Sequence, residues 1–178
     1  MAHLLPRGSV IWEAAYLENS PGPEGLYALG LDVIYDQLDF MTEQPGRPFD
    51  YIVTNPPFSN KLAWFERAVS LGKPFIFLMP SSAMGAQGWI KRFADDPKMQ
   101  VLMPRHRLSF FRFENGVMAP PSEWTKSPFD TSFFCYGFNL KSKIDFCPNI
   151  DVQQTCGFKR QRTRQEQGEA MMRKLKTG

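Results

Sequence analysis

Short apolar runs alternate along the chain with segments in which apolar residues recur at helical spacing. An unbroken apolar run is typical of a strand buried on both faces, whereas recurrence every three or four positions is typical of a helix. Strands are therefore predicted at 9–13, 32–35, 49–54, 74–79, 100–103, 108–111 and 131–140. Helices are predicted at 24–29, 60–71 and 88–94. Gly30 and Gly72 follow the first two helices, at a position where glycine often ends a helix.

Strands that alternate with helices predict the α/β class, with a mostly parallel sheet and helices on both faces. The strand at 131–140 is aromatic and alternating, and is predicted to pair as a late antiparallel hairpin strand. In such sheets, ligands bind beyond the carboxyl ends of the strands, where the strand order reverses. Three predicted strands end in Glu13, Asp36 and Asn55, so these polar side chains are expected to line one crevice.

The third of these strands stops at two consecutive prolines, Pro56 and Pro57. A proline has no N–H to donate to a neighbouring strand, so the strand must end here in a stiff loop. The loop carries the side-chain amide of Asn55, the carbonyl of Pro56 and the ring of Phe58. Two hydrogen-bond acceptors beside an aromatic ring are suited to holding a flat ring that bears an amino group.

Composition and charge narrow the setting of the protein. The 178 residues suit one domain with a sizeable core, and the net charge of +3 does not by itself indicate nucleic-acid binding. The cysteines (Cys135, Cys147 and Cys156) show no C-x-x-C spacing, which argues against a disulfide framework or a zinc site. No apolar stretch is long enough to span a membrane and no signal-peptide pattern is present, so a cytoplasmic location without membrane contact is expected.

Positive charge is concentrated near the C-terminus, and the apolar content falls after Asn149. We therefore expect one folded domain over 1–148 and a basic tail over 149–178, in which 162–176 could form an exposed helix. Such a tail is most often simply solvated, although contact with nucleic acid is the alternative.

Several short segments occur in a characteristic order. They are Trp12-Glu13, Asp39-Phe40, Asn55-Pro56-Pro57-Phe58-Ser59, Lys73-Pro74-Phe75 with Met79-Pro80, Pro104 to Phe110, and Phe133 to Tyr136. In this order the set resembles S-adenosylmethionine-dependent DNA N6-adenine methyltransferases, above all their compact phage and algal-virus type. The resemblance runs from about Val10 to about Leu140. It implies a Rossmann-like methyltransferase fold, a catalytic domain over 1–148, S-adenosylmethionine as the cofactor and DNA as the partner.

The resemblance also implies which residues bind the cofactor. These are Trp12, Glu13, Ala14, Asp36, Asp39, Phe40 and Asn55. Glu13 would approach the methionine end, Asp36 would accept the ribose hydroxyls, and Asp39 would accept the adenine amine with Phe40 beside the adenine ring. Without the resemblance, Glu13 and Asp36 could equally be surface or capping acids, and Asp39 could be a helix N-cap.

On the target side, the resemblance implies that Asn55, Pro56, Pro57 and Phe58 form the catalytic loop. The Asn55 side-chain oxygen and the Pro56 carbonyl would each accept an N–H of the target amine, and Phe58 would stack on the base. A base in a duplex would have to be flipped out of its stack. The residues expected to contact nucleic acid are Phe58, Ser59, Lys61, Arg105 and Arg107. Lys61 could equally be a charge on a helix face, and the two arginines could belong to a solvated face.

The same pattern leaves alternatives open. No inserted target-recognition domain is evident, so specificity is expected from the loops 81–88 and 116–130 or from a protein partner. RNA adenine or a protein glutamine would also suit the Asn-Pro-Pro-Phe loop. In most of the family, glycines follow the first-strand acid, but 14–19 has none and Leu17 takes a left-handed conformation only at a cost. This departure favours the remaining alternative, a non-catalytic methyltransferase-like subunit.

Overall fold

The computed structural model describes residues 4–16, 22–110, 113–114, 117–118, 125–126 and 129–147. The basic tail at 149–178, with its predicted exposed helix, lies outside the described residues, and so do Leu17 to Asn19 of the glycine-poor loop. No helix within the described ranges combines the length and the apolar character that crossing a membrane requires.

The described chain contains strands of two to six residues and three short α-helices. The strands are β1 Val10–Trp12, β2 Asp32–Ile34, β3 Tyr51–Thr54, β4 Phe75–Pro80, β5 Met99–Met103, β6 Ser109–Phe110, β7 Phe113–Glu114, β8 Val117–Met118, β9 Thr125–Lys126, β10 Thr131–Tyr136 and β11 Ile144–Phe146. The helices are α1 Gly22–Tyr27, α2 Lys61–Ser70 and α3 Gln87–Phe93, with 3-10 helices at Phe58–Asn60 and Ser81–Gly85.

One seven-stranded sheet, in the order β11-β5-β10-β4-β3-β1-β2, forms the centre of the molecule. Strands β2, β1, β3 and β4 are parallel to one another. Strand β10 is antiparallel to both of its neighbours, β4 and β5, and β11 is parallel to β5. The predicted α/β class is confirmed: the sheet is Rossmann-like and mostly parallel, with one late antiparallel strand.

Side chains alternate between the two faces of this sheet, and each face is covered. On one face, Trp64 and Phe65 of α2 and Phe93 of α3 pack in a single cluster with alternate residues of the strands. On the other face, Leu26 of α1 packs against the intervening strand residues, which include Ile76. This alternation is what sheets with helices on both faces require, and it explains why the central parts of the strands are mostly apolar.

Glycines end two helical segments as their positions predict. Gly30 has φ 76° and its N–H donates to the Tyr27 carbonyl over 2.8 Å. Gly72 has φ 68° and its N–H donates to the Val69 carbonyl over 3.0 Å. Because φ is positive at both positions, a side chain there would be strained, and glycine is the residue that stops each segment most easily.

Two sequence predictions about the second half of the chain are wrong. Strand β10 is not the partner of a hairpin, because it is inserted between β4 and β5, and short strands separate it from β5 along the chain. The two segments predicted as loops also contain regular secondary structure. Within 116–130 the structure has β8 and β9, which pair with β7 and β6 respectively, and 81–88 holds a 3-10 helix and the start of α3. Elements of two residues are too short to produce a hydrophobic period.

The edge strand β11 has no counterpart among the predictions, since it is short and follows two lysines, Lys141 and Lys143. It is held by Gln100, a buried residue of β5. The Gln100 side-chain nitrogen donates to the carbonyls of Leu140 and Ser142, each over 3.1 Å, and its oxygen accepts the Leu140 N–H over 3.0 Å. The Lys143 ammonium donates to carbonyls at the end of α3, among them Asp96 at 3.0 Å. Polar side chains thus fix the segment that leads into β11.

Replacing Gln100 with alanine is expected to lower the free energy of unfolding by about 1–3 kcal/mol, because backbone groups near the sheet lose their partner. Urea unfolding followed by circular dichroism measures this change. The exposed Gln44 offers a matched control, and Gln44→Ala should leave stability nearly unchanged. Equal effects of the two substitutions would contradict the role assigned to Gln100.

Candidate active site

The strand order reverses at β1, which lies between β2 and β3. The chain runs from β1 to β2 on one side and then crosses to β3 on the other, so the crevice expected for a ligand opens at the carboxyl ends of β1 and β3. Glu13 directly follows β1 and Asn55 directly follows β3, while Asp36 lies two residues after the end of β2. The structure therefore places the three predicted polar residues at the ends of three neighbouring strands.

Glu13 is partly buried and held on several sides. Its backbone N–H donates to the Ile34 carbonyl over 2.8 Å, which ties it to β2. Its carboxylate accepts the hydroxyl of Thr54, at the end of β3, and the Ala15 N–H at 3.3 Å. Burial raises the pKa of Glu13 to about 7, and the hydrogen bonds from Thr54 and Ala15 act in the opposite direction. Its charge therefore changes near neutral pH, at the point where the strand order reverses.

Asp36 is exposed at the end of β2. Its backbone carbonyl accepts the Leu38 N–H over 2.9 Å, so the chain turns directly after it. An exposed carboxylate at this strand end is placed to accept hydroxyl groups from a ligand in the crevice. Its pairing with a ribose stays a prediction.

Asp39 forms a local cap. One carboxylate oxygen accepts the Met41 N–H over 3.0 Å and the other accepts the Thr42 hydroxyl over 2.8 Å. Glu43 in turn accepts the Asp39 N–H over 2.7 Å. The hydrogen bond from the Met41 N–H is the main cause that lowers the pKa of Asp39, and the bond from the Thr42 hydroxyl adds to it. This exposed carboxylate therefore stays ionised. No helix begins directly after Asp39 in the described residues, so Asp39 caps a single turn and is not a helix N-cap. Any bond to a ligand amine would add to these contacts.

The rings of Trp12 and Phe40 lie in the core, with 0% and 2% of each residue exposed. Phe40 stacks on Trp64 with ring centroids 4.2 Å apart and planes at 7°, while Trp12 tilts against Phe40 at 5.3 Å. Core side chains therefore cover the Phe40 ring, and its contact with a cofactor ring stays a prediction. The side chains of Trp12 and Ala14 are also buried, so these residues can offer a ligand only their backbone.

The Asn-Pro-Pro-Phe loop presents one polar side chain and one partly covered ring. Asn55 is exposed, Pro56 is buried, and Pro57 has φ −57° and ψ 136°, which keeps the chain extended until the 3-10 helix begins at Phe58. Phe58 is partly buried, so part of its surface remains open. The stiff loop predicted from the two prolines thus places the Asn55 amide and the Phe58 ring beyond the end of β3.

A second aromatic ring, Phe129, lies edge-on to Phe58, with ring centroids 5.4 Å apart and planes at 82°. The segment that carries it is tied to the end of β4, where the Ser81 N–H donates to the Asp130 carbonyl over 2.8 Å. The Ser81 and Ser132 hydroxyls are 2.7 Å apart and complete this link. Sequence reasoning assigned Phe129 only to a broad loop, because nothing local shows that the loop folds back to Phe58.

The residues expected to contact nucleic acid lie in different surroundings. Ser59 is exposed, and Lys61 is partly buried in a mostly apolar groove of about 140 Å³ between the start of α2 and the segment 83–89. Arg107 forms an exposed ion pair with Asp130 at 2.9 Å, next to Phe129. Arg105 instead donates to the Cys147 carbonyl over 2.8 Å, beside β11. Arg107 is therefore on the Phe58 side of the molecule, whereas Arg105 is held near the sheet edge.

Within the described part of the chain, no group of three or more His, Cys, Asp or Glu side chains could hold a metal ion. The candidate site has two parts. Glu13, Thr54 and Asp36 lie on the side of β1 and β2, and Asn55, Pro56, Phe58 and Phe129 lie beyond the end of β3.

Comparison with known proteins gives a resemblance of shape only. No protein-family profile matches the chain, and no curated protein sequence matches it either. Among solved structures, a predicted O-methyltransferase of Agrobacterium tumefaciens is 10% identical with a TM-score of 0.45, and the match covers 82% of each chain. A TehB-like SAM-dependent methyltransferase of Corynebacterium glutamicum is 16% identical with a TM-score of 0.39, over 78% of this chain and 86% of the other.

A SAM-dependent O-methyltransferase of Thermotoga maritima is 11% identical with a TM-score of 0.39, over 84% of this chain and 64% of the other. These neighbours are methyltransferases by description. At such identities and TM-scores, we draw no conclusion about the activity or cofactor of this chain from the likeness.

Proposed function

We propose that this protein is an S-adenosylmethionine-dependent methyltransferase that acts on the exocyclic N6 amine of adenine in DNA. The observation that carries the proposal is the exposed Asn55 amide, set by two prolines at the end of β3 and directly beside the point where the strand order reverses. Transfer of a methyl group to an amine requires that the site for the amine and the site for the methyl donor lie at the same sheet edge.

The residues on the cofactor side fit the chemistry of S-adenosylmethionine. Glu13 offers a carboxylate that can face the cationic methionine end, and Asp36 offers an exposed carboxylate that can accept two ribose hydroxyls. The cofactor supplies an electrophilic methyl group on a sulfonium. Because both carboxylates follow neighbouring strands of one sheet, a single extended ligand could meet both of them.

The loop residues supply what a poorly nucleophilic ring amine needs. The Asn55 side-chain oxygen and the Pro56 carbonyl each accept one N–H, which favours a tetrahedral nitrogen and stabilises the positive charge that develops on it. Phe58 stacks on the base, and Phe129 supports the Phe58 ring from its edge. The loop is stiff, so these groups hold the amine in position before the reaction begins.

The proposal is tested first by titration calorimetry with S-adenosylmethionine and then by tritium transfer from labelled cofactor. We expect binding heat, and label entering a single-stranded deoxyadenosine oligonucleotide. An otherwise identical oligonucleotide with purine in place of adenine lacks the amine and should take up no label. The same assay is run with RNA and with a glutamine-containing peptide. If label enters only one of these two substrates, that substrate class and not DNA is the target. The absence of both heat and transfer would refute the proposal.

One observation favours a second candidate, a non-catalytic relative that binds nucleic acid or a protein partner. The Ala15 N–H, in the glycine-poor loop, is already bonded to Thr54 at 3.0 Å and to Glu13 at 3.3 Å. A backbone donor that is engaged within the protein is less available to a ligand. The calorimetric titration separates the two candidates, because a non-catalytic relative that has lost the cofactor gives no heat.

A further inference from the structure

Thr54 is the last residue of β3 and is 4% exposed. Its hydroxyl donates to the Glu13 carboxylate and accepts the Ala15 N–H over 3.0 Å. A threonine hydroxyl has one hydrogen to donate, so this donor is fully committed. A β-branched side chain also has few χ1 rotamers, so the two bonds fix its direction.

These contacts bridge the point where the strand order reverses. Glu13 and Ala15 follow β1, whereas Thr54 belongs to β3 and comes 41 positions after Glu13 in the chain. Thr54 is also bonded covalently to Asn55, whose amide carries the proposed amine contact. One small side chain therefore joins the strand-end acid to the first residue of the catalytic loop.

We propose that Thr54 is a positioning residue that couples the charge state of Glu13 to the placement of Asn55. This inference rests on the proposed function, because Thr54 would connect the cofactor side of that site, at Glu13, to the target side, at Asn55. When Glu13 is ionised, the Thr54 hydroxyl must donate to it and Asn55 is held in one position. When Glu13 is protonated, the Thr54 hydroxyl can turn and the restraint on the loop weakens.

The surroundings of Glu13 leave Thr54 as its main side-chain contact. The groups that shift the pKa of Glu13 in the described part of the chain are its burial, Thr54 and Ala15, with no charged side chain among them. The segments that follow β1 and β2 carry four further titratable groups, the exposed acids Asp36 and Asp39 and the phenols of Tyr16 and Tyr35, which contact each other. A change at Thr54 should therefore be read directly in the titration of Glu13.

The test is a carboxyl ¹³C NMR titration of Glu13 in the unliganded protein, assigned by its loss in Glu13→Gln. In the wild type, the Asn55 side-chain amide resonances should follow the same midpoint as the Glu13 carboxyl. Thr54→Val keeps the shape but removes the hydroxyl, so the Glu13 midpoint should rise by about one pH unit. The Asn55 resonances should then no longer follow it. Thr54→Ser keeps the hydroxyl and should restore both properties.

A Glu13 midpoint in Thr54→Val equal to that of the wild type would overturn the inference, and so would Asn55 resonances that ignore the Glu13 titration in the wild type. Thr54→Ala gives the same comparison with a smaller side chain if the valine variant does not fold. Calorimetry with S-adenosylmethionine across the same pH range is measured separately. Failure of the cofactor to bind refutes the proposed function, whereas the titration still decides the role of Thr54.

Discussion

Methyl transfer to the target amine is expected to fall by about 10²–10³-fold when Asn55 is replaced by alanine. The substitution removes one of the two acceptors that would stabilise charge on the amine nitrogen, while the Pro56 carbonyl remains. Because the Asn55 side chain is exposed, its loss leaves no buried cavity, and the fold should be unaffected. The rate is measured by tritium transfer at saturating substrate and cofactor, so that any change in cofactor affinity does not enter the comparison.

The chain offers a matched control in Asn60, which is also exposed and lies on the same loop-to-helix segment. Its side chain makes no capping hydrogen bond to α2. Asn60→Ala should therefore transfer methyl groups at the wild-type rate. Unchanged transfer in Asn55→Ala, or an equal loss in both variants, would show that the Asn55 amide is not the amine acceptor.

Replacing Glu13 with glutamine is expected to raise the free energy of unfolding at pH 9 by up to about 3 kcal/mol. The folded-state pKa of Glu13 is raised by burial from 4.5 to about 7, so the folded protein holds this proton more tightly than the unfolded chain does. The resulting stabilisation is fully present below pH 4.5 and is lost as the pH rises through 7. Glutamine carries no charge to bury, so the variant should keep this stability at high pH.

Urea unfolding of the two proteins at pH 4, 7 and 9 measures the difference, which should be near zero at pH 4 and largest at pH 9. The exposed Glu66 on α2 provides the control, and Glu66→Gln should show no such dependence on pH. A constant difference between Glu13→Gln and wild type at all three pH values would mean that Glu13 ionises as freely as a surface acid.

In the same variant, affinity for the cationic cofactor should fall at pH 8, where the wild-type carboxylate is ionised.

Apolar runs predicted the strands that build the middle of the sheet, and their success has a physical cause. Strands covered by helices on both sides need apolar side chains on both faces, so Ile52-Val53 of β3 and Phe75 to Met79 of β4 show the pattern in the sequence itself. The positions of Glu13 and Asn55 at neighbouring strand ends could also be predicted, because both residues lie where apolar runs stop. Edge strand β11 has exposed side chains at Ile144 and Phe146, so no comparable pattern marks it.

The contacts inside the site were less accessible to prediction. Whether the Phe40 ring faces the crevice or the core depends on Trp64, which comes from a helix farther along the chain. The bond between Thr54 and Glu13 depends on β1 and β3 being neighbours, which the sequence does not state. Once β1 and β3 are known to be neighbours, the threonine at the end of β3 indicates this hydrogen bond, because its side chain lies next to the end of β1.

The position of β10 has a consequence for how the protein is made. This strand fills the space between β4 and β5, yet it is synthesised well after both of them, with Thr131 paired to Pro80 and Tyr136 paired to Met99. A nascent chain that ends before residue 131 would expose the open edges of two apolar strands, a state prone to association. The ribosome must therefore deliver the chain through Tyr136 before β4 and β5 can be joined into one sheet.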